Sequence, residues 1–133
     1  MKIILRSLPL RRIRNNQCGD WWLRASGKIE ASSARMSDER SEIAVAIHEL
    51  IEAWLCRAHG VTDEAVCAFD AMFEEERTQG LHDEEAEAGD DPRAPYRSEH
   101  KAATAVEREV CDAFGLTWPD HCRNVAEVLQ NSS

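Results

Sequence analysis

The spacing of hydrophobic and polar positions changes once along this chain, near residue 37. Before that point, apolar residues come in short runs bounded by polar turns, a pattern typical of β-strands. The three runs are Lys2–Leu8, Asp20–Arg24 and Lys28–Ser32, and the polar segment Arg11–Gly19 lies between the first two. The pair Ser26-Gly27 favours a tight turn, so we predict that the last two strands form a hairpin.

From Ser37 onward, apolar residues recur at three- and four-residue steps, as they do along one side of an α-helix. Ser37 or Asp38 can cap the first turn of this helix, and Gly60 supplies a stop. The predicted helix covers Asp38–His59 and carries its apolar residues at Ile43, Ile47, Leu50, Ile51 and Trp54.

Three further helices are predicted over Asp63–Arg77, Glu99–Phe114 and about Pro119–Leu129, with Thr62 and Ser98 as the caps of the first two. The residues expected to point inward are Val66, Phe69 and Phe73 in one helix and Val106, Val110 and Phe114 in the next.

The acidic segment 78–97 is interrupted by Gly and Pro residues and predicts a long loop. The pattern as a whole predicts one α+β domain over residues 1–133. Short N-terminal strands come first, and a helical body of about four helices follows.

The net charge of −9 is unevenly distributed. Residues 1–36 carry eight Lys or Arg against two acidic residues, whereas residues 37–133 carry eight basic against 23 acidic residues. The acidic helical region repels nucleic acid and suits cations. Contact with nucleic acid is therefore conceivable only through the basic N-terminal arm.

Hydropathy and cysteine usage favour a cytoplasmic protein that does not enter membranes. No apolar run approaches the roughly 20 residues that span a bilayer, and the apolar start of the chain is too short for a signal peptide. The five cysteines form no CxxC pair. We therefore expect free thiols, which as a default are small buried side chains.

The first predicted helix contains the main candidate site. His48 and Glu52 are four residues apart and share one side of the helix, with Val45 and Ile51 beside them. An imidazole and a carboxylate at this spacing can bind one metal ion, and Glu49 is placed to take a proton from water. A hydrogen-bonded His–Glu pair on a partly wet surface is the alternative reading.

The helix over Glu99–Phe114 offers the remaining ligands. His100 is the predicted third ligand, with Glu107 as a further ligand or as a carboxylate that holds an imidazole. The alternative for His100 is an exposed residue in a first turn. Cys56 continues the side of the helix that carries His48 and Glu52, and Cys111 continues the side that carries His100 and Glu107. If these two thiols bound the metal, the site would be structural. His82 is a weaker candidate because it lies in the loop, while His59 and His121 are expected at helix ends.

Strands followed by a helix that bears AIHELIEA, residues 46–53, are similar to the layout of zincin-like metallopeptidases. More narrowly, the chain resembles a family of uncharacterised proteins from tailed phages and prophages. The matching segments are distributed over most of the chain, at 11–22, 48–56, 69–70, 89–92 and 95–100. Glu52 stands where the HExxH motif has its second histidine, and no glycine–histidine third-ligand motif follows.

From the residues and the resemblance together, we predict a zincin-like domain that binds one Zn²⁺ through His48, Glu52 and His100. Glu49 would be the general base in hydrolysis of a peptide or another amide-like bond. If the protein is phage-encoded, the host cytoplasm is its expected location. An anionic ligand such as Glu52 lowers the net charge of the metal, so it polarises a carbonyl less than a site built on two histidines does.

Two alternatives belong to other functional classes. In the first, the metal is structural and the protein binds a host or phage partner through the basic arm Arg6–Arg14 and an exposed Trp21 or Trp22. In the second, Glu49 and Glu52, with Glu109 and Asp112, form the paired acidic motifs of a Mg²⁺-dependent nucleotide pyrophosphohydrolase.

Overall fold

The three predicted strands form a single mixed sheet in a computed structural model that describes residues 1–131. They are β1 (Ile3–Leu8), β2 (Gly19–Leu23) and β3 (Ile29–Ala34), and the strand order is β1-β3-β2. The β2 and β3 strands are antiparallel, as the predicted hairpin requires, and Gly27 takes a positive φ of 83° in the turn. The parallel pairing of β1 with β3 was not predicted.

Four helices follow the sheet, so the predicted α+β class is confirmed. They are α1 (Glu39–His59), α2 (Asp63–Thr78), α3 (Arg97–Ala113) and α4 (Trp118–Gln130). The loop between α2 and α3 contains a short 3-10 turn, Ala88–Asp90. None of the described helices is long and apolar enough to cross a membrane.

Local sequence signals set most helix ends. The Asp38 carboxylate accepts a hydrogen bond from the backbone N–H of Arg40, and Gly60 ends α1 in the left-handed conformation. The predicted Ser98 cap is wrong. Helix α3 begins at Arg97, two residues earlier than predicted, after Tyr96. The buried Tyr96 ring belongs to the apolar core, so tertiary packing places the start of α3.

The buried side of α1 differs from the apolar stripe in its sequence. Ile43 and Trp54 are 46% and 44% exposed. The side of α1 that packs against the sheet and α3 is made of small and polar residues: Ser41, Ala44, Val45, Ala46, His48, Glu52, Ala53 and Cys56. The spacing of apolar residues therefore predicted the helix correctly, but it did not predict which side of the helix is buried.

Helix α3 also departs from the prediction, although the expected inward residues Val106 and Val110 are partly buried. Phe114 was expected to point inward, but it is 39% exposed just after the helix ends. The buried positions of α3 are Glu99, His100, Ala103, Glu107 and Cys111. Polar residues thus occupy the side that faces α1, and the interface between α1 and α3 contains the candidate site.

Candidate metal centre

His48, Glu52 and His100 lie together in the interface between α1 and α3, and all three are at least 94% buried. His48 Nε2 is 3.1 Å from Glu52 Oε2, and His100 Nδ1 is 2.9 Å from the same oxygen. One ligand atom from each residue lies within 4.8 Å of the other two, close enough to hold a single ion. The three residues that the sequence predicts as ligands are therefore brought together.

Helix geometry and loop packing position this trio. The i, i+4 spacing puts His48 and Glu52 on one side of α1, and the first turn of α3 brings His100 opposite them. Gly89 in the preceding loop lies directly on the His100 ring. A Cβ atom at position 89 would be 2.3 Å from His100 Cγ, so only glycine allows the loop backbone to hold the imidazole this closely.

A chain of polar contacts extends from His48 through Glu107 to His121 on α4. Glu107 Oε1 is 2.8 Å from His48 Nδ1, which places this carboxylate where the sequence predicts a group that holds an imidazole. Its other oxygen, Oε2, is 2.5 Å from His121 Nε2, and His121 Nδ1 is 2.9 Å from Ser41 Oγ. His121 lies in the first turn of α4, near a helix end as expected, but it is 1% exposed and belongs to this network.

Trp21 supplies a contact that the sequence does not reveal. Its indole Nε1–H donates to Glu52 Oε1 at 3.0 Å, and its side chain is buried. The expectation of Trp21 as an exposed contact surface is therefore wrong. The indole satisfies one oxygen of Glu52 while the two imidazoles meet the other, which holds this carboxylate in one orientation.

The carboxylates and imidazoles of the centre stabilise one another's charged forms. Burial alone would raise the pKa of Glu52, but His100 and His48 lower it to about 2. Burial likewise opposes the charge of His100, whereas Glu52 and Glu87 raise its pKa to about 10. The pKa of His48 also lies well above its usual value, because Glu107 and Glu52 outweigh the effect of burial. A metal ion that binds these nitrogens must displace protons.

The donor set fits a metal ion. His48 Nδ1 and His100 Nε2 are buried and have no hydrogen-bond partner, since the close approach of Glu107 to His48 lacks hydrogen-bond geometry. Each of these nitrogens nevertheless faces a carboxylate: Glu107 for His48, and Glu87 and Asp90 at 3.5 Å for His100. A metal-binding histidine commonly directs its second nitrogen at a carboxylate in this way.

Glu49, the predicted base, lies beside the trio but is not one of the candidate metal ligands. It is partly buried and packs against the start of β2, where a Cβ atom at Gly19 would be 2.7 Å from Glu49 Cγ. Burial raises the pKa of Glu49, and the charge of Glu52 raises it further. Glu49 makes no hydrogen bond or ion pair with any other described residue, so its carboxyl group is uncommitted.

The other candidate residues lie outside the centre. His59 contacts Glu99, and His82 stacks on a phenylalanine ring. All five cysteines are free thiols, and Cys56 and Cys111 are buried in two separate apolar clusters. Glu109 and Asp112, which the pyrophosphohydrolase alternative requires, are both exposed on α3 and its C-terminal turn and join neither candidate metal-binding group of the described residues.

No protein-family model, curated protein or solved structure matches this chain. The resemblance to zincin-like metallopeptidases and to phage proteins therefore stays a prediction. Any function has to be inferred from the residues of the centre.

Proposed function

We propose that this protein binds one Zn²⁺ through His48, Glu52 and His100 and hydrolyses a peptide or another amide-like bond. The observation that carries the proposal is the convergence of two buried imidazole nitrogens on Glu52 Oε2. Two imidazoles and a carboxylate are a common zinc-binding set, and three protein ligands leave the fourth position open for chemistry.

Zinc bound in such a site acidifies water and polarises a carbonyl group. The surrounding residues supply the remaining requirements. Glu107 faces His48 Nδ1 and can hold the ring with its other nitrogen towards the centre. Trp21 keeps the Glu52 carboxylate from turning away.

Glu49 is the proposed general base. Burial and the charge of Glu52 raise the pKa of Glu49, which makes its carboxylate a stronger base. Its carboxylate has no other hydrogen-bond partner among the described residues, so it is free to take a proton from water. Gly19 gives it the space to lie between β2 and α1.

One observation supports the alternative in which the metal is structural. The network from His48 through Glu107 and His121 to Ser41 connects α1, α3 and α4, so an ion at its centre would hold three helices together. The partner in this alternative is a host or phage protein in the cytoplasm, and the contact surface would be the basic arm, in which Arg11 and Arg12 are exposed.

Metal content tests the shared part of both readings. Protein purified without added metal should contain about one zinc per chain, with ligand atoms about 2.0–2.2 Å from an anomalous-scattering peak. His48→Ala and His100→Ala should each lose the zinc. His59→Ala, which alters a largely exposed histidine outside the centre, should keep it. A native protein without zinc, or zinc that survives both substitutions, would refute the proposal.

Glu49→Gln tests catalysis. This change preserves size and most hydrogen-bonding capacity, so zinc content and melting temperature should stay the same. Turnover of a fluorogenic peptide library should fall by about 10²–10⁴-fold, the usual cost of losing a general base. Unchanged turnover would exclude Glu49 as the base, and a native protein that cleaves nothing while retaining zinc would favour the structural alternative.

A further inference from the structure

The loop before α3 carries a second group of possible ligands. Glu87 precedes the 3-10 turn Ala88–Asp90 and Asp90 ends it, and the backbone N–H of Asp90 donates to the carbonyl of Glu87 at 3.1 Å. In such a turn, residues three apart project from the same side. Both carboxylates therefore point the same way, and both are largely exposed to solvent.

His100 connects these carboxylates to the interior. Its Nε2 is 3.5 Å from Glu87 Oε2 and 3.5 Å from Asp90 Oδ1. This nitrogen is buried and has no hydrogen-bond partner, although leaving a buried polar atom unpaired destabilises a folded protein. One ligand atom from each of the three residues lies within 4.8 Å of the others. Two exposed carboxylates alone would not indicate a cation site. The buried nitrogen of His100, which has no hydrogen-bond partner and faces both carboxylates, is the second observation that does.

We infer that Glu87, Asp90 and Nε2 of His100 form a second divalent-cation site, which faces solvent and shares His100 with the inner centre. Two carboxylates and one imidazole suit Zn²⁺, Co²⁺ or Mn²⁺. The arrangement does not suit an anion, because both exposed ligands are negative. Gly89 is what allows the loop to bring its carboxylates to the ring, since any side chain there would collide with the imidazole.

Sharing one imidazole links the two sites. A neutral imidazole has one lone pair, so His100 offers either Nδ1 to the inner centre or Nε2 to the outer site. When Nε2 binds a cation, Nδ1 carries the proton and donates it to Glu52, 2.9 Å away. The outer site is thus a place where a cation binds from solvent next to the inner centre, in the alternative tautomer of the same ring.

Glu52→Gln separates the two sites. It removes the anionic inner ligand, while the Gln carbonyl oxygen can still accept a hydrogen bond from His100 Nδ1–H and so favours the tautomer that the outer site needs. We expect this variant to bind one Co²⁺ per chain, seen as visible absorption. Adding Glu87→Gln and Asp90→Asn should weaken Co²⁺ binding by more than about tenfold, since even indirect partners of a metal typically contribute this much.

Glu84→Gln with Glu85→Gln is the matched control. This double substitution also removes two negative charges, but from other exposed positions in the same loop. It should leave Co²⁺ binding by the Glu52→Gln variant nearly unchanged. Equal weakening by the two double substitutions, or absence of Co²⁺ binding by a folded Glu52→Gln variant, would overturn the inference. The inference rests on Glu87 and Asp90, which are not inner ligands. The outer site can therefore be refuted while the native protein still binds zinc, and loss of zinc from the native protein would leave the outer site to be tested in the Glu52→Gln variant.

A second measurement applies if Glu52→Gln does not fold. In the native chain, Glu87→Gln with Asp90→Asn should slow the uptake of Co²⁺ by about tenfold, because a local cation site raises the ion concentration beside the centre. The control pair at positions 84 and 85 should slow it far less. Identical uptake rates for the two double variants in stopped-flow absorbance would also overturn the outer site.

Discussion

Two carboxyl groups at nearly the same depth behave in opposite ways in this protein. Glu52 in the metal centre is 5% exposed and Asp70 in the apolar core is 6% exposed. The pKa of Glu52 lies at about 2, whereas that of Asp70 lies at about 7. Burial raises the pKa of both groups, so the difference comes from their partners.

Glu52 meets two imidazoles and an indole N–H, which together favour its charged form. Asp70 accepts a hydrogen bond from the neutral hydroxyl of Tyr96, and burial together with the nearby charge of Glu52 outweighs that bond. The comparison shows how this chain keeps charges inside a small domain. The carboxylates of the metal centre face imidazoles, whereas Asp70 has no cationic partner among the described residues and its pKa stays near 7.

The largest effect is expected when a matched pair is broken. Glu52→Ala leaves the His48 and His100 imidazoles buried without their shared carboxylate, and it leaves the Trp21 N–H unpaired. Removing one member of a buried ion pair costs about 3–5 kcal/mol in free energy of unfolding. Urea denaturation at pH 7 measures this loss. Glu109→Ala, at an exposed position of α3, should change stability by less than about 0.5 kcal/mol.

Zinc should stabilise the folded protein by binding to the metal centre. A ligand at about 100 times its Kd adds about 2.7 kcal/mol to the stability of a folded protein. Zinc should therefore raise the melting temperature of the native protein, and chelator should remove the increase. His48→Ala should lose the part of the response that comes from the inner centre, and His100→Ala, which removes the imidazole common to both proposed sites, should abolish it.

Val66→Ala alters the apolar core and supplies the control for this response. It should lower stability but keep the full zinc increment. If zinc raises the melting temperature of Val66→Ala as little as that of His48→Ala, the stabilisation by zinc does not depend specifically on the metal centre.

Asp70→Asn should change how stability depends on pH. The folded pKa of about 7 lies above the unfolded value of about 3.9. Between these values the folded state binds more protons, so the contribution of Asp70 to stability falls as pH rises, by about 1 kcal/mol per pH unit. Asn stays neutral and can still accept the Tyr96 hydroxyl bond. The variant should therefore gain stability relative to the native protein between pH 5 and pH 8.

Denaturation curves at several pH values in that window measure the difference between native protein and variant. Asp112→Asn, which removes an exposed carboxylate, should show no comparable gain. A native protein and an Asp70→Asn variant with parallel pH profiles would show that Asp70 is ionised in the core.

The smallest effect is expected outside both regions. Arg11 and Arg12 are exposed and make no ion pair with any described residue, whereas Arg14 is tied to Asp20 and Asp63. Arg11→Glu with Arg12→Glu should leave zinc content unchanged and alter unfolding free energy by less than about 0.5 kcal/mol. If the protein acts by binding a partner, this variant should nevertheless lose its biological effect, while Glu49→Gln retains it.

Local sequence signals predicted the strands and helices and two of the three candidate ligands, His48 and Glu52. Strand runs, helical spacing and the Asp38 and Thr62 caps depend on residues a few positions apart, and the structure contains the elements they predict. The same holds for His48 and Glu52, because an i, i+4 pair shares a helix side wherever the helix packs.

The residues that surround His48 and Glu52 come from distant parts of the chain, so they could not be predicted from local spacing. Trp21 and His100 reach Glu52 across 31 and 48 residues, and His121 reaches Ser41 across 80. No local period encodes such contacts. Helix α1 buries its small and polar side, not Ile43 and Trp54, because small side chains let the sheet and α3 approach closely while matched charges compensate the loss of water. In the sequence, nothing distinguishes Glu87 and Asp90 from the other acidic residues of the loop 78–97. The close fit of Gly89 onto the His100 ring is what places them at a buried nitrogen.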